Sequence, residues 1–126
     1  MDAVIRAQYD ERVAVPTMMS EKRALLDLRY IEHGCERMRR LDFGNDDDAV
    51  RERMALRLEW DDAIGQLPKI VEAYEHGRLS ETTIVEMRRV AQEVAALVPE
   101  ITRIRFPLPD AEALGRALCD APARTA

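Results

Sequence analysis

Two cysteines, two histidines, five glycines and no long apolar run make up the scarce part of this sequence, and each scarcity removes a class of function. Cys35 and Cys119 stand far apart without a Cys-x-x-Cys pair, which argues against a zinc site and a disulfide-stapled scaffold. The residues three before His33 and His76 are Tyr30 and Ala73, so the Glu-x-x-His pairs of a ferritin-like di-iron bundle are missing. No phosphate-binding glycine loop, nucleotide fingerprint or Gly-x-Ser-x-Gly occurs. No stretch approaches the roughly 18 apolar residues of a membrane span. The opening Met-Asp-Ala-Val-Ile-Arg lacks the basic end and long apolar centre of a secretion signal, so the expected location is the cytoplasm. No catalytic residue, cofactor or metal ligand is assigned. A net charge of -5 gives no generic attraction to nucleic acid or anionic lipid, and neither is an expected partner.

What the sequence does hold is helical periodicity. With 126 residues, 47% of them hydrophobic, the chain suits one domain with a modest core. Arginine outnumbers lysine 17 to 2, the composition of a GC-rich bacterial genome. The stretch Ala49 to Tyr74 organises the reading. Ala49, Leu56, Trp60, Ala63, Leu67, Ile70 and Tyr74 fall within an arc of about 80° at 100° per residue. Val50, Met54 and Leu58 form a second stripe almost opposite, so this helix is expected to need two neighbours.

In chain order, residues 1–16 read as an arm of undecided structure, and Ser20 is the expected N-cap of a long helix. Ala24, Leu28, Ile31, Cys35 and Met38 form a heptad-like seam that runs through Gly34 to about Leu41. Met19, Leu26, Tyr30 and His33 lie on its far side. The segment Asp42 to Asp48 reads as a turn and an acidic helix start. A calcium loop would need glycine at its sixth position and glutamate at its twelfth, where this chain has Asp47 and Arg53.

Pro68 is read as restarting the chain in a short helix that ends at His76, with Gly77 as its left-handed C-terminal residue. Ser80 caps the next helix, with Leu79 and Ile84 as a hydrophobic staple. That helix is expected to stop at Pro99 and, having mainly one apolar side, to lie outside the bundle. Residues 99–109 read as an extended connector because Ile104, Phe106 and Leu108 alternate among prolines. Asp110 then caps a short helix with Ala111, Leu114 and Leu118 on one face, and residues 121–126 read as a frayed tail. The fold expected is an all-α bundle of four main helices plus a short C-terminal one.

Among chemical candidates, Glu72 and His76 read as an exposed pair at a helix end, and Glu59, Asp61 and Asp62 as a solvated face. Arg37, Arg39 and Arg40 cluster, and the turn at Gly77 joins two helices, which raises a DNA-binding alternative. The register opposes it: a helix-turn-helix would want apolar residues where Thr83 and Glu86 stand. A small enzyme with Arg and Glu around a cavity inside the bundle is the other alternative. Leu67-Pro68 and Gly77-Arg78-Leu79-Ser80 resemble a helical domain found ahead of HNH nucleases. The likeness covers a helical hairpin, no HNH residues follow, and it implies helices without a nuclease.

The function expected is a protein-protein interaction module, a dimerising adaptor, regulator or inhibitor. Its partners would be a second copy of itself and another protein. Met19, Leu26, Tyr30, Val50, Met54 and Leu58, the residues of the second stripes, are the expected interface.

Overall fold

The computed structural model describes residues 18–119, and the N-terminal arm and the tail read from the sequence lie outside the described residues. Five helices follow one another: α1 (Glu21–Arg39), α2 (Asp47–Ile64), α3 (Leu67–Glu75), α4 (Glu81–Ile104) and α5 (Ala111–Leu118). The fold is an all-α bundle of four main helices and a short C-terminal one, with no strand among the described residues.

Local chemistry sets most boundaries. Ser20 caps α1 by accepting from the Arg23 backbone N–H, and Asp46 caps α2 by accepting from Ala49 at 2.8 Å. Pro68 sits in the first turn of α3, where a missing N–H costs nothing. That helix closes through Gly77 at φ +70°, with the Gly77 and Arg78 N–H groups donating back to Tyr74 and Ala73. Ser80 then accepts from the Thr83 N–H and starts α4.

The seam of α1 is wholly inside: Ala24, Leu28, Ile31, Cys35 and Met38 are all buried. Against this seam pack α4 most extensively, then α2, then α3, so α1 is the centre of the molecule. Gly34 lies in mid-helix for a packing reason, because a Cβ there would stand 2.8 Å from Cε3 of Trp60 on α2. Ion pairs close the α1–α4 edge. Arg89 of α4 binds Glu32 of α1 as well as Glu86 and Glu93, and at the helix starts Glu21 accepts from the Ser80 N–H (2.6 Å) and the Thr83 hydroxyl (2.7 Å).

Several expectations are corrected. The fourth helix does not stop at Pro99 and the connector does not span 99–109, because α4 runs on to Ile104. Ile101 is wholly buried one turn beyond Leu97. Burying it and half-burying Ile104 offsets the roughly 3 kcal/mol that a proline costs inside a helix. The helix ends instead at Arg105, a left-handed residue (φ 61°), with the Phe106 N–H donating to Ile101 O. Only the residues from Phe106 to Pro109 are left as a non-helical connector, and they do not alternate as read: Phe106 is buried and Leu108 exposed. The apolar side of α4 packs on both α1 and α5, while Val85, Gln92 and Ala96 on its other side are exposed. The buried face of α5 is Ala113, Leu114 and Ala117, rotated from the Ala111, Leu114 and Leu118 expected, and Ala111 and Leu118 are exposed. Finally, α2 is not the hub. It packs extensively on α1 alone, and the second neighbour expected for its second stripe is not among the described residues.

Candidate functional site

Because α2 is held on one side, its two remaining flanks are open, and they differ in chemistry. Toward α1 it presents Ala49, Leu56, Trp60 and Ile64, all buried. The Trp60 indole N–H donates to the Pro107 carbonyl at 2.7 Å, which pins α2 to the strap after α4.

One flank is an apolar ridge. Val50, Met54 and Leu58 recur every four residues, so they stand in line along the helix, and Met54 and Leu58 are 64% and 72% exposed. Val50 and Met54 border a shallow groove together with Arg53 and Arg57 of α2, Phe43 of the loop before α2, and Arg103, Ile104 and Phe106 around the end of α4. Arg103 is fixed there by Glu100 and lies over the Phe43 ring at 5.2 Å; the bond from Arg103 holds the Glu100 carboxyl below its usual range. The ridge is flanked by Arg51, itself exposed and only loosely paired with Asp48 at 3.7 Å, and by Asp61 one helical span further on.

The other flank is a polar cleft between α1 and α2 of about 430 Å³. Leu56, Trp60, Ala63 and Gly34 line its base; Arg23, Asp27, Tyr30, His33 and Arg37 come from α1, and Glu59, Asp62 and Gln66 from α2 and its end. Arg37 pairs with Glu59 across the cleft. Asp27 is the unusual member, a carboxylate only 2% exposed whose one bond is from Arg23 Nε to Oδ2 at 3.2 Å.

The structure therefore divides the six interface residues read from the sequence. Val50, Met54 and Leu58 form the ridge. Leu26 and Tyr30 are exposed on α1, with Tyr30 on the wall of the cleft, and Met19 is half-buried against the core. These are two surfaces, because the body of α2 lies between them. Glu59 and Asp62 are exposed as read, yet they line the cleft and do not merely face bulk water.

Asp27 and the cleft were missed in the sequence, although a signal existed. Asp27 is three residues after Ala24 and four before Ile31, so it occupies a buried-stripe position with a charged side chain. Of the three arginines that suggested DNA binding, Arg37 pairs with Glu59 and Arg39 with Glu93 (3.8 Å), and Arg40 is exposed; on α4, Arg88 meets the Tyr74 hydroxyl (3.0 Å) and Arg89 three glutamates. Cys35 sits in the core, where desolvation pushes its thiol up to about 12, and Cys119 is exposed. His76 meets the Glu72 backbone carbonyl at 2.9 Å. No helix among the described residues is long and apolar enough to cross a membrane. Comparison with protein-family models, curated proteins and solved structures finds no match to this chain.

Proposed function

We propose that the protein is a cytoplasmic protein-protein interaction module, an adaptor or regulator, that pairs with a second copy of itself through the ridge of α2. The observation that carries the reading is the in-line exposure of Val50, Met54 and Leu58 on a helix covered on its opposite side. Large apolar side chains standing in line on one helix mark contact surfaces, and methionine adapts readily to an opposing face. Charge supports a second copy as the occupant. If two α2 helices pair antiparallel with Met54 level with Leu58 of the second copy, then Arg51 stands level with its Asp61. The twofold repeats both matches, as an isologous interface requires. Two free cysteines, one of them exposed, suit a reducing compartment.

A DNA-binding reading draws less support, because Arg37 and Arg39, two of the three clustered arginines it would use, pair with glutamates of the same bundle. Light scattering tests the proposal. The wild type is expected at twice the chain mass, and Leu58→Asp and Met54→Asp at the chain mass with full helical signal; a wild type that stays at the chain mass at high concentration overturns it.

A further inference from the structure

The groove beside the ridge carries charge of one sign, and that sign is opposite to the chain's net charge of -5. Its charged members are Arg53, Arg57 and Arg103, and no carboxylate lines it. Arg103 is paired with Glu100. Arg53 donates to the Asp42 and Gly44 carbonyls at 2.7 and 2.8 Å, which holds its guanidinium in place without neutralising it. Arg57 is exposed and has no hydrogen bond or ion pair among the described residues. Between these charges lies apolar surface: Phe43, Val50 and Met54 are exposed, Ile104 is half-buried and Phe106 buried. Arg103 lies over the Phe43 ring, which joins one of the charges to that surface.

Each feature narrows the occupant. The groove is shallow and open, whereas a small-molecule site encloses most of its ligand. A nucleic acid would bring phosphates to the arginines but little to cover five apolar side chains. The second copy proposed for the ridge is not the occupant either, because Leu58, the most exposed residue of the ridge, takes no part in the groove. At 100° per residue Arg53 and Arg57 fall about 100° and 60° to one side of Met54, and Leu58 about 40° to the other. A peptide segment meets both needs, with carboxylates for the arginine forks and apolar side chains for the surface between them.

We infer that the groove docks an acidic segment of another protein, whose aspartate or glutamate side chains meet Arg57 and Arg53 while its apolar side chains cover Phe43, Val50 and Met54. An adaptor thereby gains a second contact beside the one made by its ridge.

The test is fluorescence polarisation of a fluorescein-labelled probe peptide, leucine and phenylalanine interspersed with aspartate and glutamate, titrated with the full chain. Saturable binding is expected, weakening as salt rises. A peptide with lysine in place of the acidic residues, one with serine in place of the apolar residues, and a labelled DNA duplex should each bind about tenfold or more weakly than the probe. Arg57→Glu, at an exposed position that no described residue uses, should weaken the probe by about tenfold or more while helical signal persists, the size of a lost charge-assisted bond. Leu58→Asp, which removes the ridge contact, should still bind the probe, so failure here and failure of self-association are read separately. Absence of saturation, equal or tighter binding of any control, unchanged affinity in Arg57→Glu, or loss of binding in a folded Leu58→Asp variant would each overturn the inference.

Discussion

Helices α1 and α2 carry comparable apolar patterns, yet one is the hub of the molecule and the other its edge. On α1 the seam from Ala24 to Met38 is buried, and the helix has neighbours on three sides. On α2 the buried side is as well filled, but Val50, Met54 and Leu58 face outward and the opposite flank opens on a polar cleft. A stripe of hydrophobic residues thus states that a face wants a neighbour, and does not say whether the neighbour belongs to the same chain. On α1 the seam is core; on α2 the second stripe stands exposed among the described residues.

The sharpest break between the two helices should come from truncating equivalent apolar side chains. Ile31→Ala on α1 is expected to cost about 2–5 kcal/mol, the range for emptying a packed site. Leu58→Ala on α2 should change the stability of dilute protein by less than about 0.5 kcal/mol, since that side chain is largely in water. Urea melts of the two variants check this, and similar losses would mean that the ridge is covered within one chain.

A smaller effect tests how closely the two helices approach. Gly34→Ala would place a methyl against the buried Trp60 ring, an overpacking cost of about 1–3 kcal/mol that outweighs the roughly 1 kcal/mol gained in helix propensity. The control is Gly115→Ala on α5, where a Cβ meets nothing within 4 Å and a gain of up to about 1 kcal/mol is expected. Opposite signs for the two substitutions in thermal melts would establish the close contact.

The end of α4 should respond less. A left-handed non-glycine residue costs roughly 1–2 kcal/mol, part of which a glycine returns through the greater freedom of the unfolded chain. Arg105→Gly is therefore expected to stabilise by about 0.5 kcal/mol, read from the shift in melting temperature.

The smallest effect concerns the clamp between the starts of α1 and α4. Bonds from Ser80 and Thr83 lower the Glu21 carboxyl below its ordinary value of 4.5. With the folded value depressed, the stabilisation is fully present above 4.5 and is lost as pH falls through the lower folded value. Stability measured from pH 7 downward should fall less steeply in Glu21→Gln than in the wild type below about pH 4.5. Equal slopes would remove Glu21 from the account.

Caps and seams were legible in the sequence because they depend on neighbours a few residues away. Ser20, Asp46, Ser80 and Asp110 each cap a helix, and the Gly77 turn stands where its left-handed preference puts it. Proline was over-read: Pro99 has a strong local preference against helix, but burial of Ile101 against the bundle is a tertiary term that local chemistry does not contain. The cleft was illegible for a related reason. Asp27 and Tyr30 meet Glu59, Asp62 and Gln66 only once α1 and α2 pack together, at a separation that Gly34 permits. Among these residues Asp27 alone carried a trace in the sequence, a charge in the phase of a buried stripe.

Hydroxyl-radical footprinting of Met54 across a dilution series tests the central claim most directly, because this side chain is the middle of the ridge and its sulfur reports its own exposure. Rapid oxidation is expected in dilute protein and growing protection as concentration rises, with Leu58→Asp abolishing the protection. Oxidation of Met54 at one fast rate throughout the series would contradict it.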